Sequence, residues 1–202
     1  MVHRLGVLIS GRGSNLQAII DAVTDKRLAA EIAVVISNVA EAGGLARAAS
    51  AGIESIVMPQ HQWPDRDAFD GALAAALQRR RVDLVCLAGF MRLLGPAFLE
   101  AFPERVLNIH PSLLPAFPGL DAQQQAFDYG VKVTGATVHF VSAELDGGPI
   151  VMQAAVPVAA DDTSDALSAR ILAAEHRLYP QAIKRVLDGQ GRLDGRRFLF
   201  PI

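Results

Sequence analysis

Three short stretches of the chain combine residue types that can do chemistry. The first is Ser10-Gly11-Arg12-Gly13-Ser14-Asn15. A Gly-rich turn leading from a strand into a helix exposes backbone N–H groups at the positive end of that helix, a geometry that suits a phosphate. Gly13, Ser14 and Asn15 are the candidate binding positions. Leu16 stands where the dinucleotide fingerprint needs its third glycine, and no Lys-Ser/Thr ending of a P-loop follows, so neither NAD nor ATP is indicated. The plain alternative is a tight turn packed under a helix, which open α/β sheets need in any case.

The second stretch is Val106-Leu107-Asn108-Ile109-His110-Pro111-Ser112, where an apolar run ends in polar groups and is halted by a proline. Strand alternation puts Asn108 and His110 on one face, and the carboxyl end of a strand in an open α/β sheet borders the usual ligand crevice. Asn can donate to a carbonyl oxygen while His transfers a proton near neutral pH, a pairing suited to acyl-type chemistry. A capped histidine in a turn is the alternative. The third stretch is Glu144-Leu145-Asp146-Gly147-Gly148, whose glycines permit close backbone approach. An Asp beside an imidazole orients it and favours its charged form; an ordinary Asp-Gly turn is the competing reading.

Other chemistries find less support. There is no G-x-S-x-G, the single cysteine, Cys86, lies within the apolar run Leu84–Leu87, and the five histidines lack metal spacing. No metal is expected. His3 and His61 read as surface residues, His139 as core or crevice, and His176, beside Glu175, as part of a solvated helix surface. Arg79-Arg80-Arg81 reads as a helix C-terminal dipole partner. The balance of 19 Lys+Arg against 21 Asp+Glu, with 51% hydrophobic and 20% charged residues, is globular and argues against a nucleic-acid-coating surface. A lone apolar cysteine, no membrane-spanning run and no signal-peptide pattern point to a cytoplasmic protein without membrane association.

The elements that must position these stretches follow from periodicity. Apolar, β-branched runs at Leu5–Ile9, Ile32–Ser37, Ile53–Met58, Val82–Leu87 and Val106–Ile109 read as strands. Between them Leu16, Ile19, Ile20 and Val23, and then Phe69, Leu73 and Leu77, recur at helical spacing. This β-α-β-α alternation predicts a mostly parallel, Rossmann-like sheet flanked by helices. Val133–Ser142 and Pro149–Val158 read as strands that pair antiparallel in the C-terminal half. Ala116–Asp128 reads as a loop in which Pro118 and Gly119 permit a hinge. Asp161-Asp162-Thr163-Ser164 offers N-caps for a helix carrying Leu167, Ile171, Leu172, Leu178, Ile183 and Leu187 up to Gly189, which Pro180 is expected to kink or split. The tail Arg196–Ile202 reads as an edge strand. With no repeat or linker, residues 1–202 read as a single domain.

In order along the chain, Gly11–Gln17, Leu87-Ala88-Gly89-Phe90-Met91-Arg92, Asn108–Pro115 and Glu144–Pro149 resemble the folate-dependent phosphoribosylglycinamide formyltransferases. The Asn-His-Asp part is shared with methionyl-tRNA formyltransferases and formyltetrahydrofolate deformylases; the Gly-rich turn narrows the resemblance. It implies a single formyltransferase domain, with the part up to about residue 105 binding phosphate and the remainder binding folate and carrying catalysis. It also implies transfer of a formyl group from 10-formyltetrahydrofolate, as co-substrate and without metal, to the amine of glycinamide ribonucleotide in purine synthesis. Catalysis falls to Asn108, His110 and Asp146. The phosphate goes to Gly13, Ser14 and Asn15, and the ribose to Glu175. The folate falls to Arg66, Met91, Arg92, Leu93, Leu94, Asn108, Ser142 and Asp146. Partners are then small molecules, with the chain a monomer or homodimer. Deformylases usually add a domain before this one and tRNA formyltransferases one after it, and neither is expected here. After Pro118-Gly119-Leu120, where the family often carries histidine, this chain has Asp121-Ala122-Gln123-Gln124-Gln125, so no histidine role is expected there. A non-catalytic nucleotide-binding module is the reading from a different class.

Overall fold

The β-branched runs of the N-terminal half become parallel strands. The computed structural model describes residues 2–189 and 191–200. Its first strands are β1 (His3–Ile9), β2 (Ala30–Ser37), β3 (Ser55–Val57), β4 (Leu84–Leu87) and β5 (Val106–His110). They lie in the order β3-β2-β1-β4-β5, all parallel. Helices α1 (Ser14–Thr24), α2 (Gly43–Ser50), α3 (Arg66–Arg79) and α4 (Pro96–Ala101) connect them. α1 buries Leu16, Ile19 and Ile20, and α3 buries the Phe69, Leu73, Leu77 repeat. Asp65 caps α3 by accepting the Ala68 N–H at 2.8 Å, satisfying one of the helix's free donors. Arg79 sits in the last turn of α3 as the dipole argument requires, whereas Arg80 pairs with Glu54 and holds that carboxyl below its usual range.

The chain forms two units, Met1–Asn108 and Ile109–Ile202. The second contains α5 (Ala122–Tyr129), β6 (Val133–Phe140), β7 (Ile150–Pro157), α6 (Ser164–Leu187), β8 (Arg192–Asp194) and β9 (Arg197–Leu199). β6 and β7 pair antiparallel, with the register shifting between Val138 and His139. β9 pairs parallel with β7 and antiparallel with β8. Thr163 caps α6 by accepting the Ala166 N–H at 3.1 Å. Just before it, Asp162 accepts from Ala159 N and from Arg170, and the arginine holds its carboxyl below the usual range.

The structure corrects the periodicity in three places. α6 runs unsplit through Pro180. A proline there forfeits a backbone bond, at roughly 3 kcal/mol in a helix interior, but Leu178, Tyr179, Pro180, Ala182 and Ile183 are all buried, and α6 packs along both β6 and β7. Tertiary packing overrides the local penalty. The stretch read as a loop over Ala116–Asp128 contains α5, whose buried face is only Ala122 and Ala126, too slight an apolar signal for periodicity to register. His176 is half-buried and Glu175 buried, where a solvated helix surface was expected. In the tail, β9 covers part of the expected edge strand, and Pro201 and Ile202 lie outside the described residues. Among the described residues no helix is long and apolar enough to cross a membrane.

Candidate active site

The Gly-rich turn is built by backbone. Gly13 is the N-cap of α1 at φ 71, in the left-handed region that side chains resist. A Cβ on Gly13 would also stand 2.5 Å from Gly44 Cα, so both conformation and packing require glycine. Gly44 in turn donates its N–H to Gly11 O at 3.0 Å. The first-turn N–H groups of α1 have no intrahelical acceptor and lie at the positive end of its dipole. Ser14 is half-buried and Asn15 buried. Arg47 braces the turn by donating Nε–H to Arg12 O at 2.9 Å and Nη1–H to Gln17 Oε1 at 3.2 Å. Both arginines line an open cavity of about 530 Å³ beside the turn.

Also in the first unit, Ser10 Oγ donates to Asn38 Oδ1 at 2.6 Å and accepts the Met91 N–H at 2.8 Å. Met91 and Leu93 are exposed, Arg92 half-buried and Leu94 buried. The Arg92 guanidinium bonds Gln60 and lies 4.3 Å over the Phe69 ring. Arg66, exposed at the start of α3, approaches Asp70 at 3.7 Å.

Asn108 on β5, the last residue of the first unit, is half-buried. The second unit holds a cluster of side chains around His110, which is buried. His110 Nδ1 stands 3.4 Å from Asp146 Oδ2, while its Nε2 stands 2.9 Å from Phe117 O. A carbonyl oxygen can only accept, so Nε2 carries the hydrogen that it donates to Phe117 O, while Nδ1 faces the Asp146 carboxylate. Asp146 Oδ2 also accepts the Gly119 N–H at 2.8 Å. Its other oxygen faces His139 Nε2 at 3.7 Å. His139 Nδ1 lies 2.9 Å from Phe140 O. Burial pushes the His139 imidazole below its ordinary value, a shift opposed by the Phe140 carbonyl and the Asp146 carboxylate and reinforced by His110.

The segment after His110 is fixed by a second network. Thr137 Oγ1 donates to Ser112 O at 2.7 Å and accepts the Leu114 N–H at 3.1 Å. Gln153 donates Nε2–H to Leu114 O at 2.9 Å and to Thr137 Oγ1 at 2.9 Å. The Phe117 and Gly119 backbone groups that contact His110 and Asp146 therefore follow a braced stretch.

Of the sequence candidates, His110 and Asp146 meet. Ser142, half-buried, instead donates Oγ–H to Glu144 O at 3.3 Å. The sequence reasoning missed the contact of His139 with Asp146 and the Ser10–Asn38–Met91 chain. Alternation along β6 puts His139 on the face of Thr137, which was the available signal. Nothing local announces a hydroxyl bridging the ends of separate strands.

The chain matches the formyl transferase family over residues 3–183. The phosphoribosylglycinamide formyltransferase of Escherichia coli (strain K12) is 46% identical over 198 residues, which cover 95% of this chain and 93% of that protein. The trifunctional purine biosynthetic protein adenosine-3 of Bos taurus is 48% identical over 190 residues, or 94% of this chain, which spans 19% of that protein's length. The crystal structure of glycinamide ribonucleotide transformylase 1 from Symbiobacterium toebii superimposes with a TM-score of 0.97 at 56% identity, covering 98% of this chain and 94% of that one.

Proposed function

Because the chain belongs to the formyl transferase family, in its phosphoribosylglycinamide formyltransferase branch, we propose that it transfers the formyl group of 10-formyltetrahydrofolate to the amine of glycinamide ribonucleotide. In this reading residues 1–202 act as one formyltransferase domain in the cytoplasm, on small-molecule substrates of purine synthesis. Gly13, Ser14 and Asn15 hold the ribonucleotide phosphate and Glu175 its ribose. Arg66, the Met91–Leu94 segment and Ser142 receive the folate.

Amine attack on the formyl carbon forms a C–N bond and leaves a tetrahedral oxyanion. Two donors serve it: the Asn108 amide and the His110 imidazolium, whose Nε2–H becomes available when the substrate oxygen takes the place of Phe117 O. The proton lost by the attacking amine passes through water to the folate nitrogen as the old C–N bond breaks, so charge and atoms balance. Asp146 holds the imidazolium in orientation. The observation that supports this most is the pair of acceptors facing the His110 ring, Asp146 Oδ2 at 3.4 Å and Phe117 O at 2.9 Å, which fix its orientation. The test is spectrophotometric consumption of 10-formyltetrahydrofolate with and without glycinamide ribonucleotide. Turnover that needs the ribonucleotide supports the transferase. Turnover without it indicates a deformylase, and none in either case leaves a binding module.

A further inference from the structure

Asp70 has 0% of its surface exposed, and a buried carboxyl is costly unless its bonds are satisfied. Only one oxygen is. Oδ2 accepts the Gly95 N–H at 2.6 Å, with Arg66 Nε at 3.7 Å, while Oδ1 is buried without a hydrogen bond among the described residues. Burial accordingly pushes this carboxyl above its usual range, against the Gly95 N–H and the charges of Arg66 and Arg92 and with that of Asp67. An apolar side chain at this core position of α3 would carry none of that cost. What distinguishes Asp70 is the group it holds.

Gly95 closes the segment that leaves β4 and crosses residues 88–95 without helix or strand. Such a segment has no ladder to fix it, and its shape comes from clamps. Met91 N–H is held by Ser10 Oγ at 2.8 Å, the Arg92 guanidinium by the Phe69 ring at 4.3 Å, and Gly95 N–H by Asp70. Phe69 and Asp70 are neighbours on α3, so one helix supplies two of the clamps. Between the clamps Met91 and Leu93 turn 67% and 59% of their surfaces outward, while Leu94 is buried. The result is a fixed wall with apolar side chains facing out. At its closing end a Cβ on Gly95 would stand 2.8 Å from Asp70 Oδ2, so the bond and the missing side chain are matched.

We propose that Asp70 is a positioning residue for the formyl donor: by pinning Gly95 it sets the register of the Met91–Leu94 wall against the folate. This rests on the reading above that the wall receives the folate. Misplacement of a substrate-positioning element by about 1 Å can cost up to about 10² in rate, which gives a core carboxyl leverage on a surface it does not reach.

The test is steady-state kinetics of the wild type, Asp70→Ala, Asp70→Asn and Gly95→Ala, with the KM for 10-formyltetrahydrofolate and for glycinamide ribonucleotide measured separately and melting temperatures recorded. Asp70→Ala and Gly95→Ala are expected to raise the donor KM about tenfold while the ribonucleotide KM stays unchanged, a split that matches loss of uniform binding of one substrate. Asp70→Asn keeps an acceptor for Gly95 N–H and is expected to restore the donor KM. Folded alanine variants with an unchanged donor KM, or with both KM values rising together, overturn the proposal. If Asp70→Ala does not fold, Gly95→Ala decides alone. A wild type inert toward the donor overturns the functional reading and this inference with it, whereas an active wild type with unaffected variants overturns this inference only.

Discussion

The Gly-rich turn and the His110 cluster are two sites made by opposite means. The turn is contiguous, Gly11 to Leu16, and the groups it offers are main-chain donors at the start of α1. The cluster draws His110, Phe117, Gly119, His139 and Asp146 from separate segments, and the groups it offers are mostly side chains with the main chain in support. A backbone site is insensitive to side-chain identity except where a side chain cannot fit at all, as at Gly13. A side-chain site fails at single residues, because each partner is supplied once.

That contrast sets the order of expected effects. In the proposed mechanism His110→Ala removes one of two oxyanion donors, and it is expected to lower kcat by about 10²–10³, measured at saturating substrates with the melting temperature unchanged; an unchanged kcat with a lowered melting temperature would instead make His110 a structural residue. Gly13→Ala is expected to cost about 1–3 kcal/mol of stability for the left-handed backbone. It should also raise the KM for the ribonucleotide while sparing that for the folate, whereas a raised folate KM alone would remove the phosphate from this turn.

His139 gives a pH signature. Its ordinary value is 6.5 and burial lowers it in the folded chain. As pH falls through that value the unfolded chain therefore binds a proton that the folded chain refuses, and stability present above it is lost. His139→Gln is expected to flatten the fall in melting temperature as pH drops below about 6.5; an unchanged slope would assign that fall to other groups. The smallest effect belongs to a residue outside both sites. Thr163→Ala removes the α6 cap and should cost about 1 kcal/mol in denaturant melts, with kcat unaltered.

The same contrast explains what the sequence made legible. The turn could be read because its glycines, its strand and its helix are adjacent: Leu5–Ile9 ends one residue before Ser10, and Leu16, Ile19 and Ile20 face the core as spaced. Strand runs were equally local, with Val106–Ile109 extending only to His110 and the late pair forming antiparallel β6 and β7. Asn108, His110 and Asp146 could be named as candidates by type. The meeting of His110 with Asp146 could not be read from spacing, since the residues between them include α5 and β6. Periodicity leaves His139 open between core and crevice for the same reason; it is buried and faces the Asp146 carboxylate. The unsplit run of α6 through Pro180 and the short α5 escape a local reading because packing onto β6 and β7 and a face of two alanines leave little trace in local propensity.

The most direct measurement follows the formyl group itself. Supplied with 10-formyltetrahydrofolate labelled in the formyl carbon and with glycinamide ribonucleotide, the wild type is expected to deliver the label to the ribonucleotide amine, and His110→Ala to deliver it at least about 10²-fold more slowly. Label recovered as free formate, or delivered by His110→Ala at the wild-type rate, would contradict the account.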